Sequence, residues 1–162
     1  MIPDSFLKGF SELCIDASSM IYLLKIGLLS TLGAEVKLVS TPQVIEETGW
    51  PHLPVSAELP RPSLYGDGDV SNDDSLVLLA ESRRSPVLSE DYELLMNAKE
   101  AGLEYYNTLM ILNYLLLKKR ISPAEYPEYL DRLKECSHYS EKVMTHGALV
   151  HEAVLTYIVS HA

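Results

Sequence analysis

Cysteine is scarce: the 162 residues hold two, Cys14 and Cys136. Their spacing fits no zinc pattern, and two thiols make no disulfide framework. They read as reduced thiols, which points to a cytoplasmic protein. Residues 1–10 lack a cationic stretch followed by an apolar run, so no secretion signal is expected there. Long hydrophobic runs are missing as well. The two most apolar stretches, 20–32 and 109–117, are short and broken by polar residues, so no membrane span is expected. Positive charge is in short supply. Lys and Arg number 13 against 23 Asp and Glu, a net charge of −10. Nucleic-acid binders usually present a basic face, so this balance counts against a polyanionic partner. Internal repeats, low-complexity tracts and convincing linkers are absent too.

What remains is an ordinary globular composition, 47% hydrophobic and 22% charged, at a length that suits one domain. Residues 12–16 (ELCID) read as a short strand ending in an acid. Met20, Ile21, Leu24 and Leu28 recur at helical spacing, which predicts a helix over 17–28. Residues 35–39 alternate as a strand does. Thr41 and Pro42 then open a helix that carries Val44, Ile45, Glu46 and Glu47. Four prolines between Gly49 and Gly68 argue against a long helix there, leaving room for a short strand over 53–57. Beyond it the pattern predicts a helix over 71–83, a strand over 86–88 and a helix over 90–101 capped by Gly102. A strand over 103–106 and helices over 108–119, 123–135 and 140–160 complete the chain.

Strand and helix alternate, so the expected fold is α/β: three layers, a mainly parallel central sheet, and extra helices at the carboxyl end. The body is expected over 1–136, with 137–162 as a helical extension on the same domain. In such sheets, functional groups collect beyond the carboxyl ends of the strands. Asp16, Asp91, and the pair Asn107 and Thr108 each follow a predicted strand and would share that edge. Two acidic pairs, Glu46–Glu47 and Asp73–Asp74, ride on helices that could reach it. Several carboxylates at one site repel unless a cation compensates. Carboxylates with water are what Mg²⁺ and Mn²⁺ prefer, and such an ion can activate a water against a phosphodiester.

A plainer reading stands beside this one. Asp is a favoured N-cap, and Asp16, Asp73 and Asp91 all stand at predicted helix starts. Glu46 and Glu47 would serve equally as a solvated face. Arg83, Arg84, Lys118, Lys119 and Arg120 could hold phosphates around an acidic centre, or, for the last three, simply end a helix. Tyr105 and Tyr106 could stack a base or merely alternate in a strand. The run GDGDVSND places Asp67, Asp69, Ser71 and Asp73 at alternate positions, as in a calcium loop. It lacks the glycine at the sixth place (Asn72) and the glutamate at the twelfth (Leu78), which excludes an EF-hand.

Taken in order, these segments resemble the PIN domain family. CIDASSMIYLLKIGLL is similar to its opening motif and selects Asp16 and Ser18. TPQVIEET is similar to the second and selects Glu47, with Glu46 as the alternative. NDDSLVLLA is similar to the third and selects Asp73, with Asp74 as the alternative. VLSEDYELLMNAKEAGLEYYNTLMILNYLLLKKRIS is similar to the last part and selects Asp91, Asn107 and Thr108. The likeness runs over 13–133, and it is the order and spacing of the motifs that carry it.

The resemblance implies a metal-dependent endoribonuclease, with Asp16, Glu47, Asp73 and Asp91 as its acidic set and Mg²⁺ or Mn²⁺ as cofactor. Asp16, Asp73 and Asp91 would hold the metal. It implies RNA as substrate, a product with 5′-phosphate and 3′-hydroxyl ends, and in many members a toxin's role with an antitoxin protein as partner. Homodimers are common in the family. A weakly active metal-binding scaffold on the same fold is the alternative. Phosphoryl transfer to Asp16 or Asp91 is disfavoured. A haloacid-dehalogenase-like enzyme needs a second Asp where Ser18 stands, and a receiver domain needs an acidic pair where Asp16 stands alone.

Overall fold

The computed structural model describes residues 1–50, 52–60 and 72–162, without the side chains of residues 72 and 73. Helix α1, Asp4–Lys8, leads into strand β1, Glu12–Ile15. Helices α2, Ala17–Ile26, and α3, Leu29–Glu35, connect it to β2, Lys37–Ser40. Then come α4, Pro42–Thr48, β3, Ser56–Ala57, α5, Asn72–Arg83, and β4, Val87–Leu88. Helix α6, Tyr92–Glu100, β5, Tyr105–Tyr106, and α7, Thr108–Leu117, follow, and α8, Tyr126–Cys136, and α9, Glu141–Ser160, close the chain.

The five strands form one sheet in the order β3-β2-β1-β4-β5, and every pairing is parallel. Alternation along the strands sorts the core into two layers. Leu13, Ile15, Leu38 and Leu88 face a large cluster that also takes in Met20 and Leu23 of α2, Val44 of α4 and Leu112 of α7. Cys14, Val39 and Val87 face the other side, against Leu76 and Leu79 of α5 and Leu94 and Ala98 of α6. The result is the expected three-layer α/β/α sandwich around a parallel sheet. Burial also pushes the Cys14 thiol up to about 12, so it stays protonated at neutral pH.

The sequence places most elements within two residues of where they stand, and the departures have local causes. The predicted helix over 17–28 stops at Ile26, and a second helix, α3, which the sequence pattern does not announce, follows at Leu29. Gly27 takes a left-handed conformation (φ 84°) and caps α2, and α3 sets off at 111° to it. The five-residue α1 has no periodicity to betray it. It is held by Phe6, whose ring lies 5.3 Å from that of Tyr114 and 5.2 Å from that of Tyr106. Helix α6 begins at Tyr92 because Asp91 caps it, which leaves Glu90 outside the helix. Ala101, rather than Gly102, is its C-cap, and Gly102 follows at φ 77°.

Helix α9 packs on α7 and buries Val150 and Val154 in the larger cluster. Asn113 reaches across to it, its Nδ2 donating to the Gly147 carbonyl at 3.1 Å. Among the described residues, no single helix is long and apolar enough to cross a membrane.

Candidate functional site

In the strand order, the chain runs outward from β1 to β2 and β3 on one side, and to β4 and β5 on the other. The connections therefore part between β1 and β4, and they leave a crevice at the carboxyl ends of those two strands. Asp16 follows β1. Ser89, Glu90 and Asp91 follow β4. Cys14 pairs with Val87 and Ile15 with Leu88, so the two segments leave the sheet side by side.

Asp16 stands at the N-cap of α2 but makes no side-chain capping bond. Its carboxylate turns toward β4 instead. Oδ2 accepts the Ser18 hydroxyl at 2.7 Å and the Ser89 hydroxyl at 3.0 Å. Both hydroxyls are themselves fixed from behind. Ser18 Oγ accepts the Glu90 N–H at 3.1 Å, and Ser89 Oγ accepts the Asp91 N–H at 3.0 Å. Two short chains thus run from the β4–α6 backbone through a hydroxyl to one carboxylate oxygen, and each bond polarises the next. Asp16 is 7% exposed. It is thus a buried carboxylate that contributes nothing to helix capping, unlike Asp91, which is exposed and caps α6.

The remaining expected residues fall out differently. Asp91 is exposed and caps α6, its Oδ1 accepting the Leu94 N–H at 3.2 Å. Asn107 caps α7 through the Met110 N–H at 2.9 Å. Thr108 is buried and points to Glu90. Glu46 and Glu47 are exposed near the end of α4, and Asp74 is exposed in the first turn of α5. The Asp73 side chain lies outside the described residues, as do Asp67, Asp69 and Ser71 of the calcium-like run.

Glu90, between Ser89 and the selected Asp91, is not singled out by its sequence context. Its carboxylate leaves the crevice for the layer of α2 and α7. There it accepts the Thr108 N–H at 3.1 Å to each oxygen and the Thr108 hydroxyl at 3.0 Å. The hydroxyls of Ser19 and Tyr139 also donate to it. Burial raises the pKa of Glu90 above the usual carboxylate value, while these donors pull the other way. Tyr139 is raised in turn by its own burial and by the neighbouring Glu90 charge. Nothing local predicts the cluster, since Tyr139 comes from the α8–α9 connection.

Among the described residues, neither Asp16 nor Glu90 forms an ion pair. The candidate phosphate-holding cations gather at the opposite edge. Arg83 Nε donates to both oxygens of Glu12, the first residue of β1, at 3.0 Å. Arg84 lines a groove with Pro86, just before β4. Lys118 Nζ reaches the Leu7 carbonyl at 3.4 Å, and Arg120 Nε meets Glu35 Oε2 at 2.5 Å. The reason is topological. In a βα unit each helix runs back, so a cation favoured at its carboxyl end arrives at the strands' amino edge. Tyr105 and Tyr106 are half-buried in β5, and the Tyr106 hydroxyl donates to Glu104 at 2.6 Å.

The residues fit a hard divalent ion in part. Mg²⁺ takes one or two carboxylates and keeps several waters. Asp16 meets that demand as a buried carboxylate with one oxygen already oriented. A fuller cage is not assembled: among the described residues, no three His, Cys, Asp or Glu side chains converge to hold a metal ion.

No protein-family model matches the chain, and no curated protein matches it. Among solved structures it is similar to a PilT N-terminus domain protein, SSO1118, from the archaeon Sulfolobus solfataricus P2. The two share 14% identity at a TM-score of 0.42, over 80% of this chain and 99% of that one. The class of protein is defined by the chain's own strand order and crevice: a doubly wound α/β protein with a buried, hydroxyl-held aspartate at the switch point.

Proposed function

We propose that this protein is a Mg²⁺- or Mn²⁺-dependent endoribonuclease of PIN type, with Asp16 as the anchor of its metal. The observation that carries the reading is the behaviour of Asp16. It stands where a helix cap is expected, yet gives its carboxylate to Ser18 and Ser89 instead. A buried carboxylate oriented at a switch point is what an acidic hydrolytic centre needs.

In this reading Ser18 and Ser89 hold Oδ2 and so fix the plane of the carboxylate. Asp91 and the pair Asp73–Asp74 supply further oxygens, directly or through water. Asn107 and Thr108 shape the neighbouring helix start. Glu47, with Glu46 as the alternative, would complete the acidic set through water. When bound, the ion supplies a water of lowered pKa and positive charge for the leaving oxygen.

The second reading, a metal-binding scaffold with little turnover, draws on a specific observation. Glu90 is consumed by Ser19, Thr108 and Tyr139, and no cation pairs with Asp16 among the described residues. Cleavage of end-labelled RNA by wild type and by Asp16→Asn, in Mn²⁺, Mg²⁺ or EDTA, separates the two. Metal-dependent cutting lost in a folded Asp16→Asn protein supports the nuclease. Metal binding at Asp16 without cutting, on RNAs of varied sequence, supports the scaffold.

A further inference from the structure

A cavity of about 420 Å³ opens beside the far half of α2, lined by Leu24, Lys25, Trp50, His52 and Leu53. Trp50 is the chain's single tryptophan. It is 39% exposed, and Leu24 is 38% exposed. The backbone under the indole is fixed: the Trp50 N–H meets Thr48 Oγ1 at 3.3 Å, and that hydroxyl donates to the Ile45 carbonyl at 2.7 Å. Lys25 and His52 are exposed and form no ion pair among the described residues, in a chain whose net charge is −10.

An exposed tryptophan that shares a cavity with two such side chains suits one chemistry well. A nucleobase of any identity stacks on the ring, and the adjoining phosphate meets the ammonium and the imidazole. An apolar peptide would make no use of the two basic groups. A second copy of this chain would bring its own excess of negative charge.

Helix α2 joins the acidic crevice to the cavity: it starts beside Asp16, and its last turn carries Lys25. Ser18 touches Asp16, and Lys25 lines the cavity. The nine steps from Asp16 to Lys25 rise roughly 13 Å, a span that a few nucleotides cover.

We propose that Trp50, Lys25 and His52 form a subsite for a base and phosphate of single-stranded RNA, a few nucleotides from Asp16. The choice of RNA rests on the ribonuclease reading, but the binding does not depend on cleavage.

The sole tryptophan makes the test direct. A short single-stranded RNA of mixed sequence is titrated into the full chain carrying Asp16→Asn, with EDTA present, and Trp50 emission is followed. Saturable quenching is expected. Labelled RNA should bind about tenfold more weakly to Trp50→Ala and retain most of its affinity for Trp50→Phe. Lys25→Gln should weaken binding and flatten its salt dependence. Failure of the RNA to bind, or binding with Trp50 emission and Trp50→Ala affinity unchanged, overturns the subsite. So does an emission change that tracks protein concentration without RNA, which would assign the cavity to a second copy. If RNA quenches Trp50 but wild type never cuts in either metal, the subsite stands and the nuclease reading falls. If wild type cuts but RNA leaves Trp50 emission unchanged, the nuclease reading stands and the subsite falls.

Discussion

Ser89 donates its hydroxyl to Asp16 Oδ2 at 3.0 Å while accepting the Asp91 N–H at the same distance. One side chain therefore ties the acid after β1 to the loop after β4. A hydrogen bond to a carboxylate contributes about 1.5–3 kcal/mol, more than a neutral one. Ser89→Ala is expected to lower stability by about 2 kcal/mol in urea denaturation. It should also weaken Mn²⁺ binding, because Asp16 then keeps only the Ser18 hydroxyl to orient it. Ser89→Thr keeps the hydroxyl and should recover both. Unchanged Mn²⁺ affinity in a folded Ser89→Ala protein would separate Ser89 from the metal site.

Glu90 sets a pH dependence whose sign follows from its burial. Its folded pKa is raised from the ordinary value of 4.5, chiefly by desolvation. The folded state thus holds the proton more tightly than the unfolded chain. Its stabilising share is fully present below pH 4.5 and is lost as pH rises through the folded value. The stability of wild type relative to Glu90→Gln should therefore fall as pH climbs from the unfolded pKa toward neutrality. Glu90→Ala strips the partner from the Thr108 N–H and three hydroxyls, and should lose roughly 3 kcal/mol or more. Urea midpoints at several pH values check both. A wild-type minus Gln difference that grows with pH would refute the assignment.

Gly147 lies on α9 where it meets Leu109 of α7. A Cβ there would stand 2.5 Å from Leu109 Cδ2 and 2.9 Å from its Cγ. Leu109 is buried in the core and has little freedom to give way. Gly147→Ala should destabilise by about 1–3 kcal/mol through overpacking, despite a gain near 1 kcal/mol in helix propensity. Combining it with Leu109→Ala should cost less than the two separate losses added together. Strict additivity in thermal melts would mean that the helices do not meet there.

Arg83 and Glu12 form a forked pair at the amino edge, with side-chain exposures of 29% and 15%. Arg83 holds the Glu12 carboxyl below its ordinary value, so this stabilisation is present at neutral pH and is lost as pH falls. Arg83→Ala should lower stability by about 1–2 kcal/mol at neutral pH, with the deficit shrinking in acid. Because the pair is remote from Asp16, RNA affinity should not change. Weakened RNA binding by Arg83→Ala or Arg84→Ala would return the phosphate contacts to that edge.

Much of the fold is legible in the sequence because its signals are local. Thr41 caps α4 through the Val44 N–H at 3.2 Å, with Pro42 in the first turn, as the residue types alone require. Asn107 and Asp91 likewise end strands and start helices. The position of Asp16 beyond β1 can be read directly, but its partner Ser89 lies 73 residues away, and only the β1–β4 pairing brings the two together. The distribution of cations is not legible, since a sequence does not state which edge of a sheet a helix end reaches. Glu90 is hidden for a related reason. Its neighbours in sequence are a core serine and a capping aspartate, whereas its bonding partners come from α2, α7 and the α8–α9 connection.

The Glu90–Tyr139 contact also has a consequence in time. The two residues are 49 apart in the chain. At cellular rates of synthesis, Glu90 leaves the ribosome's catalytic centre about 2 to 10 s before Tyr139. Throughout that interval the carboxylate has no phenol above it and is wetted like any surface glutamate. Its enclosure therefore waits on a residue that is made after all five strands of the sheet.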